Sequence, residues 1–73
     1  MVKKAGLDWH PVDSSNLARV AWDRETLYIE FHHGGQYSYT GVSESVFNKL
    51  RNASSPGQYF DANIKNQYPT SKL

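Results

Sequence analysis

Three histidines, a tyrosine pair, a serine-rich helix start and a few scattered cations are the groups in this chain whose types and spacing could do chemistry. His32-His33 invites a metal or general-base reading, since imidazole serves as both ligand and base. Adjacent residues leaving a strand point to opposite faces, His10 is the only other imidazole, and the chain has no cysteine, so a solvated turn is expected and no metal site. Nucleophilic catalysis needs a Ser or Thr held against a base that a carboxylate orients, and no local motif arranges these types here. The chain therefore reads as non-catalytic, with no cofactor. Ser54-Ser55-Pro56-Gly57 opens a helix whose free N–H groups could hold a phosphate or carboxylate. Gly57 is not followed by lysine and lacks phosphate-loop spacing, so plain capping is the simpler expectation. Lys49, Arg51 and Lys65 could form a small basic patch or a solvated face. Tyr37 and Tyr39 could stack nucleobases or fill a core, and strand parity decides between these roles.

The element that positions the tyrosines is a β-hairpin over Leu27 to Thr40. Leu27, Ile29 and Phe31 alternate with Tyr28, Glu30 and His32, and Tyr37 and Tyr39 alternate with Gln36, Ser38 and Thr40. A two-residue loop at His33-Gly34 would leave both tyrosines in water. A three-residue loop, His33-Gly34-Gly35, pairs Phe31 with Tyr37 and Ile29 with Tyr39 and turns both rings toward the core. The second register is expected, which leaves Tyr28 as the one aromatic on the open face.

Upstream, Leu17 to Trp22 reads as a first strand, joined through Asp23 to Thr26, with Trp22 opposite Leu27, Val20 opposite Ile29 and Ala18 opposite Phe31. One face then carries Ala18, Val20, Trp22, Leu27, Ile29, Phe31, Tyr37 and Tyr39. Arg19, Ala21, Tyr28, Glu30, His32, Gln36, Ser38 and Thr40 fall on a solvated face, with Arg19 opposite Glu30. Before this strand, Leu7, Trp9 and Val12 offer apolar contacts, Pro11 favours an extended chain, and Asp13 to Asn16 read as a turn.

The apolar face needs a cover. Ser43 to Asn52 supplies Val46, Phe47 and Leu50 at helical spacing with Ser43 as N-cap. A second helix follows, with Ser55 and Gln58 as a capping box, Pro56 in the first turn and Phe60, Ile64 and Tyr68 as its buried stripe. Pro69 ends it, and Thr70 to Leu73 are expected to fray, as is the mildly basic Met1 to Gly6. The fold class is thus α+β, a three-stranded antiparallel meander with two C-terminal helices packed on one face. Residues 1–73 read as a single domain with a partly flexible lead over 1–11.

Composition narrows the function. Seventy-three residues with eight Lys and Arg against seven Asp and Glu give a formal charge of +1, without the basic excess of a protein that binds nucleic acid non-specifically. Ten aromatics, five of them tyrosine, supply the core of a chain poor in leucine. Apolar runs of two or three residues exclude a membrane span, the first fifteen residues lack a signal-peptide core, and the absence of cysteine fits a reducing compartment, so a cytoplasmic protein is expected.

In order and spacing, Ser14-Ser15-Asn16-Leu17, Val20, Asp23, the Phe31 strand with Gly34-Gly35, Tyr37-Ser38-Tyr39, Gly57, Tyr59-Phe60 and Tyr68-Pro69 resemble the KTSC family. These are small domains found at the C-terminus of some lysyl-tRNA synthetases and as short stand-alone bacterial proteins. Trp22 stands where the family more often has tyrosine, and Leu7 to Pro11 lie outside the match. The resemblance implies RNA binding and names no catalytic residue. A weak nucleic-acid site is accordingly expected from Tyr28, Lys49, Arg51, Ser54, Ser55, Gly57 and Lys65. The alternative is a protein-interaction module using aromatic surface or an exposed strand edge.

Overall fold

The computed structural model describes residues 7–73, and the fraying expected at Met1 to Gly6 lies outside the described residues. Its elements are β1 (His10–Pro11), β2 (Leu17–Asp23), β3 (Thr26–Phe31), β4 (Gln36–Thr40), α1 (Glu44–Arg51), α2 (Pro56–Asn63) and β5 (Thr70–Lys72). The fold is α+β, as expected, but its antiparallel sheet has five strands in the order β1-β2-β3-β4-β5, not three. The two added strands are short and sit at the edges. His10 pairs with Val20 and Pro11 with Arg19, proline being tolerable there because an edge strand has one side free of ladder bonds. At the other edge Tyr37, Ser38 and Tyr39 pair with Lys72, Ser71 and Thr70, so the tail expected to fray is hydrogen-bonded into the sheet.

Parity holds in the β3-β4 hairpin, but its register is two residues from the expected one. Ile29 pairs with Tyr37 and Leu27 with Tyr39. The loop has the anticipated three residues, but they are His32-His33-Gly34. Gly34 N–H donates to the Phe31 carbonyl, Phe31 N–H donates to the Gly35 carbonyl, and Gly34 takes the left-handed position at φ +103°. A two-residue slip preserves which face each side chain meets, which is why the tyrosines still point toward the helices.

In the β2-β3 hairpin Trp22 meets Leu27 and Val20 meets Ile29, as expected, but β2 is bulged between Leu17 and Arg19. Leu17, not Ala18, stands opposite Phe31, and its side chain is fully buried. The extra residue absorbed at Ala18 lets Leu17 and Val20 both face the core. The loop itself contracts to Arg24-Glu25, at φ 51° and 62°, the backbone of a type I′ turn. Neither residue favours that conformation. Arg24→Asn combined with Glu25→Gly should therefore stabilise the domain by about 1 kcal/mol, visible as a rise in Tm of roughly 4–8 °C. An unchanged or lower Tm would mean that the turn carries no relievable strain.

The core lies between the sheet and the helices: Leu17, Val20, Leu27, Ile29, Phe31 and Tyr39 from the strands against Val42, Phe47, Leu50, Phe60 and Ile64. Ser43 caps α1 as anticipated, its hydroxyl accepting from Val46 N–H at 3.3 Å. The capping box at Ser55 does not form, since its side chain makes no capping bond. Buried Pro56 and the close approach of the 13–16 turn hold that helix start instead. α2 stops at Asn63, so Tyr68 packs on the core from the segment after the helix. Trp22 stacks near Phe47 at 6.4 Å between ring centres, and its Nε1–H donates to the Val42 carbonyl at 2.7 Å.

The open face is less open than expected. Ala21 is fully buried and Ser38 is 9% exposed, because β1 and β5 extend the sheet past them on either side. Trp9, next to His10, lies on this face with the Arg19 guanidinium 4.5 Å from its ring centre. Arg19 in turn pairs with Glu30, which also accepts from the Gln36 amide at 3.1 Å. Tyr28 is therefore not the only aromatic there.

Candidate nucleic-acid interface

The turn before β2 is built by Ser14, whose Oγ accepts from the N–H groups of Asn16 and Leu17 at 3.1 Å each. That hydroxyl is thereby pinned against α2: a Cβ at Gly57 would sit 3.0 Å from it. Gly57 is thus a close-approach glycine that lets the turn dock on the helix start. Between the two lies a cleft of about 350 Å³ lined by Ser14, Asn16, Ser54, Ser55 and Gly57 together with Asp13 and Asp61. No lysine or arginine is among its described lining residues, and two carboxylates beside the free N–H groups offset their attraction for an anion.

Asn16 and Asp61 also line the adjoining groove, of about 280 Å³, so cleft and groove form one furrow. Its floor is aromatic. Phe60 meets Phe31 and Tyr39 edge-on, with ring centres 5.6 and 5.5 Å apart, and Phe31 meets Tyr37 edge-on at 5.6 Å. His33 lies flat on Phe31 at 5.3 Å and 6°, a consequence of the loop falling one residue earlier than expected. Lys65 forms the rim. Beyond His33 and Tyr37 the furrow continues into a third depression of about 360 Å³ reaching Lys72. Tyr37 is half-buried and His33 exposed, so their rings are available to a ligand, whereas Tyr39 is 5% exposed and belongs to the core.

Burial pushes the Tyr39 phenol above the ordinary tyrosine value of 10.0, and a hydrogen bond with Thr70 opposes part of the shift. The unfolded chain thus gives up this proton at lower pH than the folded one, so the associated stability is intact below pH 10 and is lost as pH rises through the folded value. Tyr39→Phe should flatten the alkaline limb of a stability-versus-pH curve measured by urea titration. A limb of unchanged slope in the variant would assign it to another group.

Of the expected site residues, Ser54, Ser55, Gly57 and Lys65 share the furrow, while Tyr28 lies on the opposite face of the sheet. Lys49 lines a separate shallow depression on α1 with Glu44 and Asn52, and the Arg51 guanidinium sits 5.6 Å from the centre of the Phe47 ring. The furrow adds Asn16, His33, Tyr37 and Lys72, which sequence reasoning did not place there. Lys72 was hidden because a strand of Thr-Ser-Lys carries no apolar alternation. The two neighbouring histidines have separate tasks: His32 Nε2 lies 2.8 Å from the Ser14 carbonyl, and His33 Nδ1 accepts from Gly35 N–H at 3.4 Å. Among the described residues no cluster of three or more His, Cys, Asp or Glu is placed to hold a metal ion, and no helix is long and apolar enough to cross a membrane.

A small antiparallel sheet backed by two helices is an architecture shared with known proteins. The model of the KTSC domain matches residues 13–68, and the chain belongs to that family. Its structure resembles the crystal structure of KTSC domain protein YPO2434 from Yersinia pestis, with a TM-score of 0.87 and 31% identity over 93% of this chain and 99% of that one. Forty-nine residues are 43% identical to part of a lysine–tRNA ligase from Nostoc sp. strain PCC 7120, covering 67% of this chain and 9% of that protein.

Proposed function

We propose that this domain is a non-catalytic module that binds single-stranded RNA in the furrow beside β4. The observation that carries the reading is that the half-buried Tyr37 and the exposed His33 line two adjoining depressions, one with Lys65 and the other with Lys72: rings for a base to stack on, and cations on either side for the phosphates that flank it. The kinship to a segment of a lysine–tRNA ligase supports RNA as the polymer. A catalytic role gains no support from the Ser14–His32 contact, which runs through the backbone carbonyl of Ser14 while its hydroxyl is committed to the turn.

Two phosphate contacts give weak binding with a shallow salt dependence, micromolar or weaker, with log K falling against log salt at a slope of about −1.4. Titrating labelled single-stranded RNA at two salt concentrations while following amide shifts tests this. Shifts at His33, Tyr37, Lys65 and Lys72 are expected. Shifts confined to Trp9, Arg19 and Tyr28, or none up to millimolar RNA, would overturn the site.

A second reading, a protein-interaction module, is favoured by the Trp9-Arg19 stack beside Tyr28, because Trp, Tyr and Arg are the types that anchor protein interfaces. Binding there would change little with salt. A partner adding a strand would have to pair with β1 or β5, since these occupy the outer sides of β2 and β4.

A further inference from the structure

We infer that the furrow selects guanine among the bases of its RNA, through the carboxylate of Asp61. The inference rests on the RNA reading of the furrow and asks what a base lying on Tyr37 and His33 would meet at its edge. Asp61 is exposed and lines the aromatic groove together with Asn16 and Lys65, and it lines the adjoining cleft as well, so it stands where the two join. A carboxylate only accepts hydrogen bonds. Guanine alone presents two neighbouring donors, N1–H and the N2 amino group, on its Watson–Crick edge, and these match the two oxygens of a carboxylate. Adenine and cytosine present one amino donor beside a ring acceptor, and uracil presents one N–H between two carbonyl oxygens that a carboxylate repels. Asn16 offers both a donor and an acceptor, which suits the guanine O6 that the carboxylate cannot satisfy.

Charge placement along the furrow agrees with this division of labour. Lys65 and Lys72 each share a depression with the His33 and Tyr37 rings, where phosphates would run, whereas Asp13 lines only the cleft, where a phosphate would be repelled. A carboxylate in a site for a polyanion weakens non-specific binding. It is useful there only if it contacts a donor on the ligand.

The test uses seven-nucleotide oligouridylates of identical length carrying G, A, C or U at the centre, titrated by fluorescence anisotropy, with amide shifts locating the site. The G oligonucleotide should bind about tenfold or more tighter than the all-U one, the scale of a good bidentate base contact. Asp61 is exposed, so Asp61→Asn should fold normally. It should erase the preference for G while leaving the all-U affinity equal or higher. Four equal affinities with shifts still in the furrow would overturn guanine selection and leave RNA binding standing. A preference for G that survives in Asp61→Asn would overturn the role of Asp61. GMP binding as tightly as the G oligonucleotide would overturn the polymer as ligand, and no shift with any oligonucleotide would overturn the RNA reading itself.

Discussion

Phe60→Ala should lower stability by about 3–5 kcal/mol, enough to leave a domain of this size largely unfolded at room temperature. Phe60 is 3% exposed and is the ring on which the aromatic cluster closes, edge-on to both Phe31 and Tyr39. Each such pair adds something beyond area burial, so the alanine variant loses two ring contacts as well as the buried surface. It also frees α2, whose eight residues are too few to hold a helix in isolation. Only Pro56 would remain as a buried residue of the helix, with Ile64 buried at its C-cap. Urea titration followed by far-ultraviolet circular dichroism gives the measurement. Phe60→Leu, which retains apolar volume, should cost markedly less. A midpoint for Phe60→Ala within error of the parent would mean that α2 does not close the core. Because Phe60 also floors the proposed RNA groove, binding is better probed through Tyr37 and Lys65 at its rim.

The sequence made this core legible because strand parity is a robust quantity. The alternation of Leu27, Ile29 and Phe31 with polar residues, continued by Tyr37 and Tyr39, assigns the covered face under any register that differs by an even number of residues. The loop sequence His-His-Gly-Gly is compatible with two placements of a three-residue turn. Which glycine takes the left-handed position is settled by how Phe31 meets Gly35, a pairing with no local signature. The edge strands were illegible for a related reason. His10–Pro11 and Thr70–Lys72 are too short to show a period, and backbone pairing with a strand already in place forms them. The loss of the capping box was hidden because the Ser55-to-Gln58 spacing is correct in sequence, while the helix start is occupied by a turn more than forty residues earlier. Long-range docking of that kind leaves only a glycine as its mark.

The candidate site was legible in pieces. Lys65 and the helix start were singled out by charge and by the Ser-Pro-Gly sequence, and they do face one furrow. Tyr28, Lys49 and Arg51 were grouped with them by residue type, which carries no information about which face of the molecule each occupies. His33 and Tyr37 were missed as a surface because parity speaks only of in or out, and both sit where the sheet runs past the end of its cover.

Leu17→Ala and Ala18→Ser together should separate the bulged strand from a regular one. In a regular β2 paired from Trp22 to Ala18, position 18 faces the helices and position 17 does not. The bulge reverses this: Leu17 is fully buried opposite Phe31, and Ala18 is partly exposed, its carbonyl accepting from Val12 N–H at 3.3 Å. Leu17→Ala should then cost about 2–5 kcal/mol, the range for removing a buried leucine, toward the upper end because its neighbours are tied down. The Ser14 hydroxyl holds Leu17 N–H, and Asn16 accepts from His32 N–H at 3.0 Å, so the backbone cannot easily collapse into the cavity. Ala18→Ser should change stability by no more than about 0.5 kcal/mol, as at a surface position. Equal small costs at both sites would remove the bulge from the account. A large cost at Ala18 with a small one at Leu17 would restore the regular pairing, with Ala18 facing the helices opposite Phe31 and Leu17 turned away.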